Sequence, residues 1–122
     1  MNPVLLVVAV LGAGMVGALI RHGAALIPTR GVFPIAILSV NAIGSFLAGI
    51  AIALAPLLGP EISLIVLTGF CGGLTTFSTF SVDTIRLAIE GRAWVALGNI
   101  AANLLLGIGA AGLGAAVTLA II

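Results

Sequence analysis

Four long apolar blocks make up nearly all of this chain: residues 1–20, 31–60, 62–82 and 93–122 contain no Asp, Glu, Lys, Arg or His. A helix rises ~1.5 Å per residue and needs ~20 apolar residues to cross ~30 Å of hydrocarbon, so each block is long enough to span a bilayer once. Helix breakers fall between the blocks: Pro28 and Gly31, then Pro56, Gly59 and Pro60, then Gly91. The pattern predicts an all-α membrane protein with four transmembrane helices, over about residues 4–27, 33–56, 62–90 and 93–121, in a single transmembrane domain covering 1–122. No internal repeat is visible, so a symmetric pore would need a second subunit.

Small and polar residues are ordered within the blocks. Asn41, Gly44, Ser45, Ala48 and Gly49 share one face of the second helix. Asn99, Asn103, Gly107, Ala110 and Gly114 share a face of the fourth, and Gly14, Gly17, Ala18 and Arg21 a face of the first. Such faces let helix backbones approach closely in lipid, where packing rather than hydrophobicity drives association.

Composition narrows the functional classes. Of 122 residues 62% are hydrophobic and 6% charged, against ~25% charged in a soluble domain. Few residues remain outside the spans, which excludes a soluble catalytic or nucleotide-binding module. One His, no nucleophile motif and no acidic pair leave no constellation for acid–base or metal catalysis, so the chain is not expected to be an enzyme. A net charge of +1 offers no basic surface for nucleic acid. The N-terminal block has no basic residue before a full-length apolar run and is expected to be a retained first helix. All four arginines flank two of the connections, Arg21 and Arg30 the first, Arg86 and Arg92 the last. The positive-inside rule then predicts both termini outside a cell (inner or plasma) membrane.

The third block carries the least ordinary segment, Gly69-Phe70-Cys71-Gly72-Gly73-Leu74-Thr75-Thr76-Phe77-Ser78-Thr79-Phe80-Ser81. Gly costs ~1 kcal/mol relative to Ala inside a helix, and Thr is a weak helix former. A 62–90 helix would also reach ~43 Å unbroken, longer than the ~30 Å it must cross. Both points predict a break near Gly72–Thr76, in the middle of the third span. Carbonyls freed there, such as those of Gly72 and Thr75, suit a small hard cation. Beyond the break, helical spacing places Phe77, Phe80, Ser81 and Thr84 on one face, where ring edges and hydroxyls could solvate an anion. Asn41, Asn99 and Asn103 are amides that are expensive to bury unless paired.

These segments resemble the CrcB (Fluc) family of fluoride channels. The resemblance rests on Gly12-Ala13-Gly14 through Arg21, Val40-Asn41-Ala42-Ile43-Gly44-Ser45-Phe46, Gly72 through Phe80, and Asn99 with Asn103. It implies a passive fluoride-selective channel that lets cytoplasmic fluoride leave the cell and so reduces fluoride toxicity. It also implies an antiparallel dimer with two pores and a central structural sodium ion, formed with itself or with an oppositely oriented paralogous subunit. Carried over by position, Gly72 and Thr75 would give backbone oxygens to sodium, Asn41 would donate to fluoride, and Phe77 and Phe80 would edge the pore. Ser78, Thr79 and Ser81 fall in the hydroxyl-rich part, with Arg21, Asp83, Asn99 and Asn103 at the mouth or in structural positions. Asp83 stands where relatives commonly have Glu, and the fourth helix lacks a serine some relatives carry beyond Asn103.

Two other classes fit four short spans. A small multidrug exporter needs a carboxylate within the membrane, usually in the first span, and that span has none. A structural membrane subunit would account for the glycine faces but leaves the Gly-Gly-Leu-Thr-Thr-Phe-Ser-Thr-Phe run without a purpose.

Overall fold

The structure, a computed structural model, describes residues Met1–Ile122 and contains helices without strands. In chain order these are α1 (Pro3–Ala25), α2 (Ile35–Leu64), a π-helical segment (Ile65–Cys71), α3 (Gly72–Leu74), α4 (Phe77–Ile89) and α5 (Ala93–Ile121). Helix α1 starts where Asn2 caps it: its side-chain oxygen accepts from the Val4 N–H at 2.9 Å, with Pro3 in the first turn. Proline costs nothing there because its missing N–H would be unpaired anyway.

Three stretches are long and apolar enough to cross a membrane: Pro3–Ala25, Ile35–Ile89 and Ala93–Ile121, with mean hydropathy of 2.5, 2.1 and 2.2 over their most apolar windows. The second and third helices expected at 33–56 and 62–90 are thus joined without an intervening loop, in a run of helix from Ile35 to Leu74 that is distorted at Gly59 and interrupted only at Thr75–Thr76 before α4. Its change of direction is concentrated at Gly59, whose φ of 77° and ψ of 168° leave the helical region. Only glycine adopts that conformation cheaply. Pro60 follows as the first residue of the returning helix, and the Ser63 hydroxyl donates to the Gly59 carbonyl at 2.8 Å. Gly44 against Leu74 and Asn41 against Thr76 are each nearly symmetric about residue 59, so the run folds back on itself as a helical hairpin.

Contact registers give the helix directions. Gly69 packs against Val10, Gly73 against Gly14, and Arg21 reaches Thr75, so α1 runs parallel to the returning arm of the hairpin. Ser45 lies by Gly107 and Gly49 by Ala111, so α2 and α5 also run parallel. The Met1 ammonium pairs with the Glu61 carboxylate and ties the start of α1 to the reversal.

The expected glycine faces are the contact faces. A Cβ added at Gly17 would meet the Leu74 nitrogen at 2.7 Å, and one at Gly73 would meet Gly14 Cα at 2.9 Å. Gly49 and Gly114 bring α2 and α5 together in the same way. Large apolar side chains such as Leu11, Leu19, Leu105 and Ile108 point outward, as suits a protein whose solvent is hydrocarbon.

Gly17→Val should therefore lower stability in mixed micelles by about 1–3 kcal/mol through overpacking. Gly12→Val, with no atom within 4 Å of the added Cβ, should change it by less than about 0.5 kcal/mol. Chemical unfolding followed by helical circular dichroism measures both.

Candidate functional site at the helix break

The helix breaks where expected, within the Gly72–Thr76 region, but on the threonines rather than the glycines. Gly72 and Gly73 remain helical in α3. Thr75 (φ −79°, ψ 158°) and Thr76 (φ −147°, ψ 123°) are extended, and α4 begins at Phe77. Gly73 is small so that α1 can approach it at Gly14, whereas Gly72 faces outward; the threonines offer the backbone substitute partners. The Thr75 hydroxyl donates to the Cys71 carbonyl at 3.0 Å, and the Thr76 oxygen caps α4 by accepting from the Thr79 N–H at 3.2 Å.

The Asn41 amide holds the break open. Its Oδ1 accepts from the Thr76 N–H at 2.8 Å and its Nδ2 donates to the Thr76 carbonyl at 3.2 Å. One side chain thereby satisfies both backbone groups of a residue that has left the helix. Because the Thr76 N–H goes to Asn41, the carbonyl of Gly72 loses its helical donor. The neighbouring Thr75 carbonyl accepts from the Arg21 guanidinium at 2.9 Å, so the half-buried Arg21 binds the break directly.

From Asn41 a line of hydrogen bonds runs through α5 to α4. Asn41 Nδ2 donates to Asn103 Oδ1 at 2.9 Å, and Asn103 Nδ2 donates to both the Oδ1 and the backbone carbonyl of Asn99, each at 3.0 Å. Asn99 Nδ2 donates to Thr84 Oγ1 at 2.9 Å, and the Thr84 hydroxyl donates to the Phe80 carbonyl at 2.7 Å. Asn99 is the most enclosed side chain of the protein, 1% exposed.

Beside the break lies a cleft of ≈ 450 Å³, where Asn41, Thr75, Thr76, Phe77, Phe80 and Asn103 meet Ser45, Ile100 and Leu104. No ionisable side chain lines it. The Phe77 and Phe80 rings stand 5.6 Å apart, tilted by 49°, with Phe77 80% exposed. Ser45 was legible only as part of a helix face; its position one turn beyond Asn41 is the signal that places it in the cleft. Both N–H groups of Asn41, the expected anion donor, are engaged within the chain.

The other expected site residues lie outside the cleft. Ser78 and Thr79 bond with the Thr76 hydroxyl, each at 3.2 Å. The Ser81 hydroxyl donates to the Phe77 carbonyl at 2.8 Å, and Ser81 opens onto a second groove beside Arg86 and Glu90. Thr84 is buried against Asn99 rather than sharing an open face with the phenylalanines. Asp83 is half-buried and makes no ion pair; the single one in the structure joins Met1 and Glu61. No group of three His, Cys, Asp or Glu residues could hold a metal ion. A hard cation at the break would rely on carbonyl oxygens, for which the Gly72 carbonyl, freed of its helical donor, is suited and the Thr75 carbonyl is shared with Arg21.

Apolar spanning helices around an uncharged cleft at a pinned helix break define a multi-pass helical membrane protein with a cleft lined by neutral groups. Residues 7–115 match the family described as CrcB-like protein, Camphor Resistance (CrcB), and the chain belongs to that family. A protein of Pyrococcus horikoshii named Fluoride-specific ion channel FluC is 41% identical over 109 residues, covering 86% of this chain and 88% of the relative. The FluC of Pseudomonas putida is 50% identical over 99 residues, 75% of each chain. Fluoride-specific ion channel FluC 1 of Thermobifida fusca is 48% identical over 104 residues, 82% of this chain and 84% of its own.

Replacing Asn41 by Leu leaves the Thr76 N–H and carbonyl without their partner. Each orphaned buried group costs about 1–3 kcal/mol, so Asn41→Leu should unfold at markedly lower denaturant than Asn41→Gln, read by circular dichroism in micelles.

Proposed function

We propose that this chain is a fluoride-selective ion channel that lets cytoplasmic fluoride leave the cell passively, and is not an enzyme. The observation that carries this reading is the cleft at the break, polar yet free of ionisable side chains, in a member of a family whose relatives bear the name of fluoride channels. Fluoride is small and strongly hydrated, so a dry path must replace its water with donors without trapping the ion. The Ser45 hydroxyl and the positive edges of the Phe77 and Phe80 rings supply weak donors of that kind. Asn41 keeps the backbone beside them fixed, and release of one of its N–H groups would add a stronger donor. A carboxylate, which a proton-coupled exporter requires, is missing from the cleft.

The same reading extends to topology and assembly. The hairpin about Gly59, with α1 and α5 beside its arms, supports four membrane crossings, the third broken at Thr75–Thr76. A single chain leaves Phe77 and Gly72 open to the outside, which favours an antiparallel second subunit, the chain itself or a paralogue, against this face. In that dimer Gly72 and Thr75 carbonyls of both subunits would hold a structural sodium ion, supplying positive charge near the anion path. The one-sided arginines favour both termini outside a cell membrane, and a fixed orientation that suits an oppositely oriented partner.

Liposomes holding the purified protein, alone or with such a partner, should release fluoride at least about a hundredfold faster than chloride, as an anion-selective filter requires. Fluoride- and chloride-selective electrodes measure this, and equal or absent release overturns the reading. Phe80→Ile, which keeps bulk but removes the ring edge, should slow fluoride release about tenfold. A reporter fused after Ile122 should give signal from the outside only; signal from both sides refutes the fixed orientation.

A further inference from the structure

We propose that Asn99 and Thr84 form a lock behind the cleft that positions Phe80 and, through Asn103, the amide of Asn41; the proposal rests on the channel reading above. Neither residue lines the cleft, whereas Phe80, Asn103 and Asn41 all do. Asn99 and Thr84 therefore act through others and are positioning residues.

The hydrogen-bond polarity carries the inference. One end of the line is the Thr76 N–H, a donor only, which obliges Asn41 to present Oδ1 to it and Nδ2 to Asn103. The other end is the Phe80 carbonyl, an acceptor only, which takes the Thr84 hydroxyl hydrogen and leaves Thr84 Oγ1 to accept from Asn99. Asn99 then has Oδ1 left for Asn103, whose Nδ2 must turn toward Asn99 and whose Oδ1 must turn toward Asn41. Every amide in the line thus has one permitted orientation, and Asn99 is the member that transmits it between α4 and α5. At 1% exposure its amide has no water to fall back on.

Removing the Thr84 oxygen leaves Asn99 Nδ2 without an acceptor. Asn99 is then free to turn its amide over, which takes one of its two acceptors from Asn103 Nδ2, leaves that group on the Asn99 backbone carbonyl alone, and so loosens the partner of Asn41. At the same time α4, whose first turn carries both rings, loses its side-chain hydrogen bond to α5.

The decisive comparison is Thr84→Val, which keeps the shape, against Thr84→Ser, which keeps the hydroxyl. Fluoride release from liposomes should fall about tenfold in Thr84→Val, the order expected for one buried donor left unpaired, and stay near the wild-type rate in Thr84→Ser. Asn99→Leu should match Thr84→Val, and the double variant should be no slower than the slower single, because the two act as one unit. Deuterium exchange of residues 75–80 in micelles should quicken in Thr84→Val and not in Thr84→Ser. Wild-type release and exchange in Thr84→Val, an equal loss in Thr84→Ser, or losses that multiply in the double variant each overturn the lock. If wild-type liposomes release no fluoride, the channel reading falls instead, and the exchange comparison alone decides whether the lock exists.

Discussion

The arrangement depends on one constraint: a backbone that leaves the helix inside hydrocarbon must find its hydrogen bonds elsewhere. Thr75 and Thr76 leave the helix, and hydrocarbon offers nothing to replace the bonds they give up. Asn41 meets the N–H and the carbonyl of Thr76 with a single amide, Arg21 meets the carbonyl of Thr75, and the Thr76 hydroxyl caps the helix that follows. Asn41 and Arg21 come from other helices, while the Thr76 cap is local. The break is therefore a product of the fold as much as of its local sequence, whose threonine hydroxyls supply the near partners and whose remote partners come from α1 and α2.

Close packing makes these long-range partners dependable. Gly14, Gly17, Gly69 and Gly73 bring α1 against the segment before the break, near enough for Arg21 to reach Thr75. Gly49 and Gly114 do the same for α2 and α5, which puts Asn41 within reach of Asn103. An alanine methyl at Gly17, Gly49, Gly73 or Gly114 would run into backbone rather than a yielding side chain, so the helices would have to part. The glycines thus set the spacing, and the amides and hydroxyls exploit it.

Much of this was legible in the chain as written. The charge-free blocks and their breakers located the helices, the small-residue faces located the contacts, and Gly-Gly-Leu-Thr-Thr located the break to within a few residues. Other features were hidden because they depend on distance across helices. Pro56, Gly59 and Pro60 announced an interruption, but a single glycine makes the reversal while helical bonding continues around it. Thr84 looked like a neighbour of Phe77 and Phe80 on helical spacing alone. Its hydroxyl instead turns to the Phe80 carbonyl and to Asn99, a partner fifteen residues away on another helix. The sequence marks Arg21 only as a charge near a mouth, and nothing in its spacing aligns it with a carbonyl fifty-four residues on.

The ordered amides have a consequence for traffic other than anions. A continuous line of hydrogen bonds through a membrane protein invites comparison with a proton wire, in which hydroxyls, waters or titratable groups hand protons along. Here the line passes through Asn41, Asn103 and Asn99 in succession. A carboxamide nitrogen neither gains nor gives up a proton at ordinary pH. Three such links stand in a row. The same groups that brace the helix break thus give that line no titratable link through which a proton could be handed on.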